Sequence, residues 1–347
     1  MVHALHATLF GGPLKILIFG AGSIGVYVGA SLLAAGADSV LLGRARMGER
    51  IAADGVLLTD LHGGRRQLDG STVPFATDPA VLSDAGLIVL CVKSAGTAAA
   101  AADIASFAPP GAVVLSLQNG VGNVDLLRAA LPGRTVLGGT VVFNVAQMEH
   151  GRFHRGTEGG LITEAAPALA PWLAAFAAAG LPLYQRADFI EVQWGKLLLN
   201  LNNAVNAVSG LPLKAQLSQR AYRRCLALLI AEALEVLAAA GIAPARVARV
   251  APRMLPPLLR LPDFLFKRIA GAMLRIDPEA RSSMWEDLQA GRPTEIDYLN
   301  GAVLRLGREH GVATPANGAI VELVRGAEQG GERALGGQAM LHALRGQ

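Results

Sequence analysis

Cysteine is nearly absent from this chain: two residues, Cys91 and Cys225, in 347 positions. Two isolated thiols build neither a disulfide framework nor a zinc site. Both lie in apolar stretches, so buried, inert thiols are expected. The seven histidines are dispersed. Only His150 and His154 sit four apart, in a glycine-containing segment that does not read as a helix, so no metal is expected. Charged residues are sparse at 17%, against 52% hydrophobic. That balance excludes a disordered chain and supplies material for two domains. Aromatics make up 5% and the net charge is +4. Basic residues form short pairs such as Arg65-Arg66 and Arg223-Arg224, never an aromatic-interleaved stripe, which argues against a nucleic-acid partner. The opening MVHALHATLFGGP lacks the basic start of a secretory signal, so a reducing, cytoplasmic setting is expected. No internal repeat is present.

What is present begins at Lys15. The apolar run Ile16 to Phe19 has strand length and opens directly into Gly20-x-Gly22-x-x-Gly25. An Ala-rich helical stretch follows to Ala35, with Gly36 as its stop. Strand, glycine turn and helix in that order make a dinucleotide-binding site the expectation. Gly20 allows the tight turn, Gly22 lets backbone approach a pyrophosphate, and Gly25 lets helix and strand pack closely. The loop residues Gly20, Gly22, Ser23, Ile24 and Gly25 are therefore assigned to the cofactor, whose phosphates suit the exposed N–H groups and positive end of the helix. A second reading exists, since Ile16 to Ala37 carries no charge, is long enough to span a bilayer and holds a Gly25/Gly29 small-residue pair. The glycines, however, cluster just after a strand-length run, where a spanning helix gains nothing from them. No membrane association is expected.

Ser39 to Gly43 reads as the next strand, with Arg44 at its end. A carboxylate in this place would bond a ribose 2′-hydroxyl, whereas an arginine pairs with a 2′-phosphate. Arg44, with Arg46 nearby, thus favours NADP(H) over NAD(H); a solvated loop residue is the alternative.

Further along, Leu87 to Val92, Ala112 to Leu117 and Val136 to Val145 read as strands, and Gly151 to Thr163 as a polar hairpin. Alternating β and α segments predict an α/β fold, with an N-terminal Rossmann-type doubly wound parallel sheet. Its ligands would sit at the carboxyl ends of strands, which nominates Lys93-Ser94 and Gln118-Asn119-Gly120 besides the glycine loop. From about Asp188 the pattern is helical, at Phe189 to Val208, Ala221 to Ala240, Arg281 to Ala290, Glu295 to His310 and Asn317 to Gln329. The expected domains are 14–186, binding cofactor, and 187–330, all-α and catalytic, with a frayed tail after Gly330.

Within the helical half, Lys196, Asn200 and Asn203 are spaced i, i+4, i+7, on one helix face bordering buried leucines. Buried Lys and Asn need partners. A snorkelling lysine and core-satisfied asparagines would give the same stripe. The segment Arg281-Ser-Ser-Met284 … Thr294-Glu295-Ile-Asp297-Tyr298-Leu-Asn300-Gly starts a helix at Pro293-Thr294, with Glu295 in its first turn; by spacing alone this is capping chemistry.

Taken together and in order, the glycine loop, Gln118-Asn119-Gly120, the Trp194-x-Lys196-x-x-x-Asn200 helix and the Ser-Ser-Met … Thr-Glu-Ile-Asp-Tyr-x-Asn-Gly segment resemble the ketopantoate reductase (2-dehydropantoate 2-reductase) family. The likeness runs from about residue 14 to 325. It implies NADPH-dependent reduction of 2-dehydropantoate to pantoate, a step toward pantothenate and coenzyme A. By the same resemblance Lys196 is the general acid to the keto oxygen, and Glu295 orients substrate and lysine. Asn119 stands at the cofactor–substrate junction. Asn200 contacts the substrate hydroxyl, Ser283 contacts its carboxylate, and Lys93 lies near the cofactor.

Two positions depart from the family pattern. An asparagine usual three before Ser283 is Ala280 here, and one usual four after Asn200 is Ala204. Lost polar contacts leave room for another branched 2-oxo acid, with Arg281 as a substitute partner for its carboxylate. A non-catalytic NADP(H)-binding sensor is the reading from a different class, but a sensor needs neither Lys196 nor Glu295. The expected partner is a small-molecule 2-oxo acid, and a homodimer remains open.

Overall fold

The computed structural model describes residues 14–247, 250–274 and 278–346. The first thirteen residues, on which the reading of no secretory signal rests, lie outside these. The chain divides into two compact units, Met1–Phe189 and Ile190–Gln347.

The first unit holds twelve strands among its described residues: β1 (Ile16–Phe19), β2 (Ser39–Leu42), β3 (Val56–Asp60), β4 (Arg65–Leu68), β5 (Phe75–Ala76), β6 (Leu87–Leu90), β7 (Val113–Ser116), β8 (Val136–Val141), β9 (Val145–Gln147), β10 (Arg152–Arg155), β11 (Leu161–Glu164) and β12 (Leu183–Arg186). Its α-helices are α1 (Ser23–Ala34), α2 (Ala45–Asp54), α3 (Thr97–Phe107), α4 (Asn123–Ala130) and α5 (Leu173–Ala178). Eight strands form one sheet in the order β12-β11-β8-β7-β6-β1-β2-β5. From β5 to β8 neighbouring strands are parallel; β11 pairs antiparallel with β8 and parallel with β12.

This sheet is doubly wound because its strands are apolar on both faces. Ile16, Ile18, Leu87, Val89, Val113 and Leu115 join one buried cluster with Val26 and Val28 of α1. Leu17, Ile88, Leu90 and Val114 join a second with Ala100 and Ile104 of α3 and Leu127 of α4. Alternate residues of one strand thus serve opposite layers, which requires the continuous apolar runs seen in the sequence. The chain leaves β1 toward β2 and β5, then returns to β6 on the other side of β1. That reversal opens a crevice at the carboxyl ends of β1 and β6.

Two expectations for this unit need correction. The run 136–145 is split: β8 stays in the main sheet, while β9 enters a separate four-stranded sheet of order β4-β3-β10-β9. The segment 151–163 is not one hairpin. β10 pairs antiparallel with β9, whereas β11 pairs with β8 and β12. Phe153 stands opposite Leu58 and Gln147, whereas Leu161 stands opposite Val141 and Leu183, and short-range pattern does not reveal which strand a residue pairs with.

The second unit is helical: α6 (Phe189–Asn200), which starts at the boundary residue, α7 (Asn202–Ser209), α8 (Leu213–Leu217), α9 (Arg220–Ala239), α10 (Leu255–Leu259), α11 (Asp263–Ile269), α12 (Ser283–Gln289), α13 (Asn300–Glu309), α14 (Pro315–Glu328) and α15 (Gly337–Leu344). The 20-residue α9 buries Leu226, Leu229, Ile230, Ala233, Val236 and Leu237, the stripe expected of a helix facing a core. No helix among the described residues is long and apolar enough to cross a membrane; the uncharged stretch from Ile16 is a strand, a turn and a 12-residue helix.

Three helical expectations also change. The predicted helix 189–208 breaks at Leu201 into α6 and α7. The predicted helix 295–310 is a short 3₁₀ turn, Ile296–Tyr298, followed by α13. The tail is not frayed: α15 buries Met340, Leu341 and Leu344, and Leu335 N–H bonds the Val208 carbonyl at 3.0 Å. These three side chains lie within five residues, too short a window to stand out beside the polar stretch before it. Burying them contributes about 2 kcal/mol each. Truncation after Gly336 is therefore expected to lower the urea midpoint of unfolding clearly; an unchanged midpoint would show that α15 contributes nothing.

Candidate active site

In the first unit the glycine loop occupies the crevice. Gly20 sits at φ +110°, and a Cβ there would lie 2.5 Å from the Val92 backbone nitrogen. A Cβ at Gly25 would lie 2.0 Å from the Gly20 carbonyl oxygen. Neither position accepts a side chain, so the β1 loop packs directly on the loop that follows β6. Gly22 differs: a Cβ there would meet nothing within 4 Å. Its lack of a side chain leaves open space in front of the first turn of α1, which contains no acidic residue. N–H groups of a first helical turn have no partner within the helix. The cradle at Gly22, Ser23 and Ile24 therefore fits a phosphate-bearing dinucleotide.

Arg44 lies two residues past β2, as the residue before α2, with extended backbone (φ −74°, ψ 145°). It is exposed. Its position at the end of the second strand is the one predicted for a ribose-proximal residue. Cys91 lies just beyond β6, and burial pushes its thiol up to about 12; it stays protonated and is no nucleophile at neutral pH.

Lys93 and Asn119 stand on the loops after β6 and β7, and a buried polar network ties these loops together. Gln118 Nε2 donates to the Val92 carbonyl at 3.0 Å and to Thr97 Oγ1 at 2.7 Å. Its Oε1 accepts from Ser116 Oγ at 3.0 Å. Asn123 Nδ2 donates to Ser94 Oγ at 3.0 Å and to the Asn119 carbonyl at 2.9 Å. Thr97 Oγ1 lies 3.0 Å from Asn123 Oδ1. Sequence reasoning marked Gln118 and Ser94 as loop residues and missed Thr97 and Asn123. Their only signal was polarity at the starts of two apolar helices.

In the second unit Lys196 and Asn200 share α6, one turn apart, both half-buried. Burial pushes the Lys196 ammonium down to about 8, and the Glu295 carboxylate opposes that shift. Lys196 and Glu295, distant in sequence, therefore interact in the fold. Glu295 is not in the first turn of a long helix, as expected, but just before the 3₁₀ turn. Its backbone carbonyl accepts from Tyr298 and Leu299. Thr294 holds it there: its N–H donates to Glu328 Oε1 at 2.7 Å, and its Oγ1 accepts from Ile296 N–H.

The two serines before Met284 divide their work. Ser282 caps α12, accepting from Trp285 N–H, and its own N–H donates to Asn206 Oδ1 at 2.9 Å. Ser283 is exposed in the first turn. Two asparagines of this unit are tied to other amides. Asn202 exchanges amide bonds with Gln216 (3.0 and 3.3 Å), and Asn300 Nδ2 donates to Asn317 at 3.0 Å. The break at Leu201 interrupts the helix between Asn200 and Asn203, so the predicted three-residue stripe does not lie on one continuous helix. Ala204 is fully buried. Arg281 donates from Nη1 to the Gly210 carbonyl at 2.7 Å and stacks on Trp285 at 4.0 Å. Among the described residues no His/Cys/Asp/Glu group could hold a metal ion, and His154 Nδ1 lies 2.9 Å from Thr59 Oγ1.

Two family models match this chain. Ketopantoate reductase PanE/ApbA covers residues 16–167, and its C-terminal counterpart covers 188–328. A protein named 2-dehydropantoate 2-reductase from Halobacterium salinarum is 31% identical over 325 residues, spanning 92% of this chain and 100% of that one. The crystal structure of a PanE/ApbA family ketopantoate reductase from Ralstonia eutropha superposes with a TM-score of 0.76 at 31% identity, covering 91% of this chain and 99% of the other. D-mandelate dehydrogenase, solved with NADH and anilino(oxo)acetate, has a TM-score of 0.74 at 22% identity over 91% of this chain and 99% of its own. That likeness shows the fold alone.

The network joining the β6 and β7 loops generates one expectation. Asn123→Leu leaves buried partners unsatisfied, at a cost of about 1–3 kcal/mol. Urea unfolding checks this, and a wild-type midpoint would remove the network as a determinant of the loops.

Proposed function

The chain belongs to the ketopantoate reductase family and is an NADP-dependent oxidoreductase, and on that premise we propose that it reduces 2-dehydropantoate to pantoate with NADPH. The observation that carries the proposal is the pairing of Lys196 with Glu295. A lysine held near pH 8 beside a carboxylate is poised to deliver a proton at neutral pH.

In this reading residues 14–186 hold the cofactor and 187–330 supply the acid. Gly20, Gly22, Ser23, Ile24 and Gly25 receive the pyrophosphate, Arg44 the 2′-phosphate, and Lys93 and Asn119 flank the nicotinamide end. When bound, NADPH supplies the hydride that reduces the keto carbon. Lys196, protonated, donates a hydrogen bond to the keto oxygen, stabilises the negative charge that develops there and gives up its proton to form the alcohol. Solvent then reprotonates the amine. Glu295 holds the ammonium in its charged form and orients it. Asn200 and Ser283 contact the substrate's hydroxyl and carboxylate. The mandelate dehydrogenase likeness is a reminder that one fold serves several substrates. The alternative, a reductase of another branched 2-oxo acid, rests on the departures at Ala280 and Ala204.

Loss of NADPH absorbance with 2-dehydropantoate, with Lys196→Ala as control, tests the proposal. The variant should lose about 10²-fold or more in kcat; turnover with other 2-oxo acids but not with 2-dehydropantoate would overturn the substrate. The acid must be protonated, so kcat/KM for reduction should fall as pH rises through about 8. Because Glu295 raises the lysine's pKa, Glu295→Gln should move that limb to lower pH. A limb unmoved by both substitutions would belong to another group. Arg44→Ala should raise the KM for NADPH about tenfold or more while changing NADH little, the scale of one charge-assisted contact. Equal losses would dismiss the 2′-phosphate role.

A further inference from the structure

The first turn of α9 contains no acidic residue and begins Arg220, Ala221, Tyr222, Arg223, Arg224. Helix N-termini already carry partial positive charge, and Arg220 and Arg224 stand i, i+4, so this arrangement is unfavourable on both counts. The fold resolves Arg223 by burying it. Its guanidinium donates to the carbonyls of Leu217, Leu259 and Leu261, pairs with Asp263 at 2.8 Å and stacks on Phe266 at 4.1 Å.

Arg220 and Arg224 are not resolved in this way. With Arg260, Arg345 and Leu228 they line a cavity of about 280 Å³. Arg260 is the cap residue after α10 and Arg345 the one after α15, so three separate helices bring four guanidinium-bearing residues to one hollow. Arg220 Nε donates to the Arg260 carbonyl at 3.0 Å, which fixes one side of it. Arg224 and Arg345 both act electrostatically on the Cys225 thiol, which places their charges on the same stretch of α9. Among the described residues none of the four forms an ion pair. Arg220, Arg260 and Arg345 are exposed and Arg224 is half-buried, so water screens their mutual repulsion, but four like charges around one hollow still raise its positive potential and draw an anion to it.

We propose that this cavity is an anion-binding site that takes the oligophosphate portion of a small molecule. Guanidinium forks match phosphate oxygens in pairs. The cavity lies at the small end of ligand sites, roomier than one phosphate requires. Among the described residues Leu228 is its single apolar lining residue, which offers little wall for a base or an acyl chain, and the charged portion is what is held. The site shares no residue with Lys196, Glu295 or the glycine loop, and it does not rest on the reductase reading.

Calorimetric titration of the full chain with tripolyphosphate, at physiological ionic strength and with saturating NADP⁺ to fill the cofactor site, tests it. One site per chain is expected. Arg224→Gln/Arg345→Gln should weaken it about tenfold or more, the scale of lost charge-assisted contacts. Arg65→Gln, at an exposed arginine of the first unit, should titrate like the wild type. Citrate should bind at least about tenfold more weakly than tripolyphosphate, because it carries less negative charge and offers fewer acceptor oxygens to four guanidinium groups. Should the double variant fail to fold, Arg260→Gln alone gives the same reading. Absence of tripolyphosphate binding to the wild type, an affinity unchanged by the substitutions, or equal binding of citrate would each overturn the proposal.

Discussion

The approach of Gly25 to Gly20 is the constraint on which the first unit depends. A Cβ at Gly25 would fall 2.0 Å from the Gly20 carbonyl, and one at Gly20 would strike the backbone at Val92. Only where both are glycine does α1 come down onto β1 while the β1 loop rests on the loop after β6. That contact sits where strand order reverses, so it also shapes the crevice. The open space at Gly22 follows from the same turn. The polar network of Gln118, Thr97 and Asn123 extends the arrangement to the neighbouring loop and sets the backbone on which Lys93 and Asn119 are carried.

In the second unit the governing balance is between burial and charge. Desolvation drives the Lys196 ammonium toward the neutral amine, and Glu295 resists. The outcome, near pH 8, lies between an ordinary surface lysine and a fully neutralised one. Glu295 has no regular helix to hold it. It depends instead on Thr294, which is tied by its N–H to Glu328 and by its hydroxyl to Ile296. The unit treats its other charges in two opposite ways. Arg223 is buried with carbonyl, carboxylate and aromatic partners, whereas its neighbour Arg224 faces a cavity lined by three further arginines. Adjacent residues of identical chemistry thus serve a structural end and, by the proposal above, a binding end.

Much of the fold was legible. The strands β1, β2, β6 and β7 stand where continuous apolar runs lie, because a strand buried on both faces must be apolar at every position. The glycine loop was legible because its three glycines answer separate steric demands. The errors share one cause. The split of 136–145, the divided partners of β10 and β11, the break at Leu201 and the docked tail all depend on which distant segment lies alongside. A residue's own neighbours carry no record of that. The same holds for the asparagines: Asn200, Asn202 and Asn203 look alike in a leucine-rich stretch, yet Asn202 is consumed by Gln216.

By itself, then, the sequence determined the alternation of β and α segments, the glycine loop and the helical second half, since these rest on steric and hydrophobic demands that act within a few residues. It also carried the family likeness. Only the tertiary structure decided that Lys196 feels Glu295, that Ser282 caps while Ser283 stays exposed, that Arg281 is engaged by Gly210 and Trp285, and that four arginines from three helices meet. Electrostatic and hydrogen-bond partnerships act over a few ångströms of space, and residues far apart in the chain enter that range only once the chain has folded.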